Sequence, residues 1–171
     1  MRKVFTSLLI ACILVTTLVL PIHAYNLTGY YVANMSTQYA WGSNMTSTSI
    51  IKTGWQNAVS AWNNEGMNIG YNSNSRNLLE SRYNSTGSEN GMSIIDLYSS
   101  SPTVKQFVCY MNSAKGGWTS TTAKSTGIHE LGHVVGLDHV TGRAIMDENR
   151  DRTSIYTVQT DDRNGFNAIY Y

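Results

Sequence analysis

The chain has 171 residues, 42% of them hydrophobic and 13% charged, with a formal net charge of +1, two cysteines and four histidines. One domain fits that length, and its core is large enough to fold without disulfide staples. Near-neutral charge with no basic stripe excludes the usual nucleic-acid binder, and the hydrophobic content excludes wholesale disorder.

The first element is a leader. Met1-Arg2-Lys3 is a short basic head, Val4 to Leu20 is apolar, and Pro21-Ile22-His23-Ala24 adds a helix breaker and a small residue. These are the parts of a secretory signal peptide, so cleavage is expected after Ala24 and the protein is expected outside the cell. A retained membrane anchor and lipidation at Cys12 are competing readings. The apolar run is at the low limit for a span, and it continues past Cys12, which a lipoprotein box does not need. Removing 1–24 leaves a single expected domain, 25–171, with ten basic and eleven acidic side chains. Cys109 is its one cysteine, so no internal disulfide can form. Its apolar neighbours Phe107 to Met111 make it a buried structural thiol. Asn26, Asn34, Asn44 and Asn84 each open an Asn-x-Ser/Thr triplet, a pattern that arises often by chance in a chain rich in these residues.

Tyr30-Tyr31-Val32 reads as a first strand. Ser49 to Asn64 reads as an amphipathic helix, with Ile51, Trp55, Val59 and Trp62 at helical spacing and Gly66 to end it. The two tryptophans are expected in the core. Residues 63–91 are dominated by Asn, Ser and Gly and read mostly as surface loop, with a short strand at Ile69-Gly70-Tyr71. Ser93 to Tyr98 and Phe107 to Met111 read as two more strands. Gly116-Gly117-Trp118 makes a turn, after which Ser120 or Thr121 caps a helix running to about Val135. Thr160-Asp161-Asp162 starts a last helix whose apolar face is Phe166, Ile169 and Tyr170. This order of elements is that of an α+β domain.

Once His23 leaves with the leader, the remaining histidines fall in one window: His129-Glu130-Leu131-Gly132-His133-Val134-Val135-Gly136-Leu137-Asp138-His139. Residues four apart on a helix stand one turn above each other, so His129 and His133 present their imidazoles to one point. Gly136 can take the left-handed conformation that stops the helix and turns His139 back as a third nitrogen ligand. Three protein ligands leave a fourth position for water, the arrangement of a catalytic zinc. Copper or nickel also binds imidazole, but the open site beside a carboxylate favours zinc. Glu130 then lies next to the zinc-bound water and takes its proton as that water attacks a carbonyl. Five specified positions arise by chance in roughly one chain of this length in twenty thousand. Asp138 competes with His139 for the third position, or serves as an acceptor orienting an imidazole.

The full His-Glu-x-x-His-x-x-Gly-x-x-His pattern resembles the metzincin zinc endopeptidases. Ala144-Ile145-Met146 looks like their Met-turn, which implies that Met146 supports the imidazoles from beneath. Gln159 to Tyr170 is similar to the last helix of matrixin catalytic domains, and the helix around Trp55 to Trp62 resembles their first long helix. The resemblance implies a zincin-like α+β fold: a twisted mixed sheet with an antiparallel edge strand, an active-site helix, and a small C-terminal subdomain ending in a helix. It implies one catalytic Zn2+ held by His129, His133 and His139, Glu130 as the catalytic residue, and Gly136 and Met146 as supports.

The chain departs from that pattern in places. Val140 stands where matrixins usually carry Ser, and Asp147-Glu148 follow the Met where some metzincins place a tyrosine. No spare histidine exists for a second, structural zinc. Glu80, Glu89 and Asp96 are the only acids between Gly66 and Ile128, a thin supply for Ca2+ sites. No cysteine-switch propeptide lies between Ala24 and the domain.

The resemblance implies a protein or peptide partner laid along an edge strand, with Phe107 to Asn112 the candidate strand and an interior position its alternative. A monomer with no nucleic acid and, after signal cleavage, no membrane partner is expected. A zinc-stabilised binding or structural module, and a zinc hydrolase of a non-protein amide or ester, are the competing functions.

Overall fold

Trp55 and Trp62 lie seven residues apart, two helical turns, and so face the same way; both are fully buried, as the spacing predicted. Their indole N–H groups find acceptors at the carbonyls of Glu80 (3.1 Å) and Ile128 (2.9 Å). The tryptophans thereby tie their own helix to a strand and to a second helix. Truncating a buried side chain of this size generally costs about 3–5 kcal/mol.

The computed structural model describes residues 25–46 and 49–171. The leader and its predicted cleavage point lie outside the described residues. In chain order the elements are β1 (Asn26–Leu27), β2 (Ser36–Trp41), α1 (Ile50–Asn64), β3 (Asn68–Tyr71), β4 (Leu78–Arg82), β5 (Gly91–Leu97), β6 (Val104–Asn112), α2 (Ser120–Val134), β7 (Leu137–Asp138) and α3 (Thr160–Tyr170). Ser49 caps α1 by accepting from the Lys52 N–H (3.1 Å), and Gly66 closes it at φ +116°.

Five strands form one mixed sheet in the order β3-β2-β4-β6-β5. All neighbours are parallel except β5, which runs antiparallel to β6 from Gly91↔Met111 to Leu97↔Val104. The fold is therefore α+β with an antiparallel edge strand, as the resemblance implied. The α1 and α2 helices pack on each other through small residues. A Cβ on Gly54 would lie 2.6 Å from the Ala123 Cβ, and one on Gly127 would lie 2.9 Å from the Ala58 Cβ. This close crossing buries most of α2, polar residues Ser125, Thr126, His129 and Glu130 included.

Four expectations need correction. Tyr30–Val32 is not a strand: only Tyr31 bridges, to Thr103. Residues 63–91 are mostly loop with β3 at the expected short strand, but they also hold the unexpected β4, which is polar in composition yet pairs on both sides. The cap of α2 is Thr119, one residue earlier than expected, and it exchanges hydrogen bonds with Thr122 (3.1 and 2.9 Å). Finally, Phe107–Asn112 is interior, lying between β4 and β5, so the antiparallel edge is β5. The apolar run that drew attention to β6 reflects burial between two strands and under α2.

Candidate active site

The second half of α2 carries His129 and His133 one turn apart, and the helix stops at Val134. Gly136 follows with φ +104°, and a Cβ there would collide with the Tyr30 carbonyl oxygen. Both the turn and the close backbone approach thus require glycine. Gly136→Ala is expected to lose about 1–3 kcal/mol of stability from backbone strain and to weaken zinc binding, because the chain can no longer turn His139 inward. Thermal unfolding and zinc titration check this; unchanged values in both would refute it.

After the turn, β7 pairs with β1, and the Asn26 side-chain amide donates to the His139 carbonyl (2.7 Å). His139 now faces α2. Its Nε2 lies 3.1 Å from the Nε2 of His129 and 3.1 Å from that of His133. Three nitrogens bound tetrahedrally at about 2.0–2.1 Å would stand roughly 3.3 Å apart, so the spacing fits a zinc ion.

The Nδ1 atoms point away from this centre. His129 Nδ1 lies 2.7 Å from the Ile145 carbonyl and His133 Nδ1 3.0 Å from that of Leu137, contacts that put the proton on Nδ1 and leave Nε2 free to ligate. Burial holds His129 well below its ordinary pKa and His133 at about 4, so both are neutral at pH 7, the ligating form. Among the described residues this is the one group of His, Cys, Asp and Glu side chains close enough to share an ion, and no acidic cluster for Ca2+ accompanies it. Asp138 stands outside that group and accepts from the His139 backbone N–H (2.7 Å).

Gly136 and Met146 sit where they can support the centre. Met146 is buried beneath α2, and a Cβ on Gly132 would collide with its sulfur. The Met146 segment is fixed by α3: the buried Asp162 carboxylate accepts from the N–H groups of Ile145 (2.8 Å), Met146 (3.1 Å) and Gln159 (2.8 Å). Burial raises the Asp162 pKa, while these three donors pull it back. The Ile145 carbonyl held in this way is the one that faces His129.

Glu130 opens onto a cleft of about 620 Å³ shared with all three histidines. It is only 5% exposed, and burial pushes its carboxyl up to about 7. The Ser93 hydroxyl lies 3.0 Å from its Oε2 and 2.8 Å from its carbonyl oxygen. Two residues back on the same face of β5, a Cβ on Gly91 would come 2.7 Å from Oε1. The edge strand thus seats the carboxylate with one glycine and one serine. Ser93 also lies 3.3 Å from the Cys109 sulfur, a fully buried thiol as the sequence suggested, with its pKa raised by burial.

Sequence reasoning missed Gly91, Ser93, Asp162 and the cleft residue Arg150. Only Asp162 carried a local signal, and that signal pointed to a helix cap.

The matrixin (Peptidase M10) family model matches residues 60–171. No curated protein sequence matches the chain. Among solved structures the chain resembles one described as the GM1-bound form of the ECX AB5 holotoxin, at 14% identity over 86% of this chain and 88% of that one, TM-score 0.58. It also resembles high choriolytic enzyme 1, a hatching-enzyme zinc protease of the medaka fish Oryzias latipes, at 13% identity over 83% and 94%, TM-score 0.52. At such identities these likenesses speak for the fold alone. The family match covers well over half of the chain and contains the whole histidine window, so the protein belongs to the matrixin family of zinc metalloproteases.

Proposed function

We propose that the protein is a secreted, monomeric zinc endopeptidase, made with a leader at 1–24 and acting through the single domain 25–171. The observation that carries this reading is the convergence of three imidazole Nε2 atoms beside a buried carboxylate on one open cleft. His129, His133 and His139 hold the ion, with Gly136 and Met146 supporting them. Zinc bound there supplies a Lewis acid and acidifies water. Glu130 takes the proton of the attacking water and delivers it to the leaving amine. Ser93 orients the carboxylate, and Gly91 leaves it room. No fourth histidine exists in 25–171, so no imidazole is free to act as base.

An extended peptide would pair with the outer edge of β5, beyond which no strand lies among the described residues. Main-chain pairing of this kind suits a protein or peptide better than a small non-protein amide. A purely structural zinc site would have no use for a carboxylate aimed into a cleft.

The reading is tested by zinc content and casein digestion in two variants. His139→Ala should lose more than about a hundredfold in zinc affinity, together with proteolysis, whereas Asp138→Ala should lose about tenfold or less. The reverse order would show that the third ligand is Asp138.

A further inference from the structure

We propose that Arg152, backed by Arg150, forms a subsite for a carboxylate on the substrate beside the scissile bond. The inference rests on the endopeptidase reading and names what that site selects.

The segment after Met146 reads Asp147-Glu148-Asn149-Arg150-Asp151-Arg152, and both arginines line the cleft with the histidines and Glu130. Arg150 is spent on neutral acceptors. Its Nε donates to the Ser125 hydroxyl (3.1 Å), its Nη2 to the Ser125 carbonyl (3.1 Å) and its Nη1 to the Asp147 carbonyl (2.9 Å). These bonds bolt the segment onto α2 and set Nη1 3.0 Å from His129 Nδ1. With the Nδ1 proton directed at Ile145, that last approach is a contact between donors; the Arg150 charge is offset by the carboxylates of Glu130, Asp162 and Asp147, while Arg152 opposes it.

Arg152 is held differently. Its Nη1 donates to the Thr126 hydroxyl (3.1 Å), and its guanidinium carbon lies 5.4 Å from the centre of the Trp118 ring. A guanidinium has five N–H groups, and no other one on Arg152 meets an acceptor among the described residues. Thr126 stands one helical turn before Glu130. A Cβ on Gly91 would come 2.8 Å from Thr126 and 2.7 Å from Glu130, so β5 passes close over both. A peptide paired with β5 therefore runs past Arg152 within about a turn of the general base.

Neither arginine forms an ion pair with a carboxylate among the described residues. The acids around the cleft are otherwise occupied. Glu89 accepts from Asn84 and Tyr110, Glu148 is exposed beside His139, and Asp162 is saturated by backbone N–H groups. Two partly buried guanidiniums face one another's charge with nothing to neutralise Arg152. A carboxylate is the ligand that answers this, because the planar fork donates to it bidentately and ammonium or apolar groups gain nothing from it. That carboxylate comes from an Asp or Glu side chain, or from the free C-terminus of a short peptide.

The test uses the full processed chain with zinc and a set of peptides cut at one known bond. Two have blocked ends and differ only by Glu or Gln beside the scissile bond. Two more place a C-terminal residue at that position, free or amidated. The wild type should cleave the Glu peptide with kcat/KM at least about tenfold above the Gln peptide. In Arg152→Gln the ratio should fall to about one, and in Arg152→Glu a Lys peptide should overtake the Glu peptide. A ratio taken within one preparation does not depend on how much of a variant is folded. Preference for the free over the amidated terminus alone would keep the subsite and name the terminus as its ligand. Wild-type ratios near one in both pairs, Glu over Gln and free over amidated terminus, or an unchanged preference in Arg152→Gln, overturn the subsite while leaving the protease. Failure to cleave any peptide overturns the endopeptidase reading, and the subsite with it.

Discussion

Glu130→Gln is expected to lower kcat/KM by about a hundredfold to ten-thousandfold, the range that positioned proton transfer supplies, while leaving zinc content and thermal stability nearly as they are. Glutamine matches the carboxylate in shape, and its carbonyl oxygen can still accept from Ser93, so the seat made by Gly91 and Ser93 is not disturbed. What disappears is basicity. Burial has pushed this carboxyl up to about 7, near the pH at which a base must both take and return a proton. A bound cation would draw the value down again, since it favours the charged form. Steady-state kinetics on a peptide, alongside metal analysis of the same samples, checks the expectation. Unchanged turnover would remove Glu130 from the mechanism.

Asp162→Ala is expected to destabilise the fold by about 3–5 kcal/mol. The carboxylate is 1% exposed and accepts three backbone N–H bonds, and removing it leaves those donors buried without a partner. The damage should reach the metal centre through a short chain of contacts. Asp162 fixes the Ile145 and Met146 N–H groups, and the Ile145 carbonyl faces His129 Nδ1 at 2.7 Å. Loss of such a support typically costs about 10- to 100-fold in metal affinity. Denaturant unfolding and zinc titration read the two effects. A change in stability below about 1 kcal/mol would show that α3 does not hold this segment.

The α1 and α3 helices were legible because each carries a repeating apolar face, and α2 because a turn and polar caps precede its histidine window, signals confined to a short stretch of chain. The β2 and β4 strands were not. Ser-Thr-Gln-Tyr-Ala-Trp and Leu-Leu-Glu-Ser-Arg are short and half polar, and they are strands because parallel partners far along the chain pair with them. Edge and interior were likewise confused, since local hydrophobicity reports burial and not strand order. In the site, His129, His133, Gly136 and His139 share one helix and its exit, so their convergence follows from spacing. Met146 was found by resemblance. Gly91, Ser93, Arg150 and Asp162 arrive from other elements, and nothing in their own neighbourhoods announces where the fold will bring them.

If the three convergent histidines hold the zinc on which proteolysis depends, activity must follow the metal. Removing metal from the purified protein with a chelator and titrating zinc back, while following casein cleavage, tests it most directly. Cleavage should vanish in the metal-free protein and return in full at one zinc per chain, with no recovery in His139→Ala. Cleavage that persists without metal, or that returns equally in His139→Ala, would contradict it.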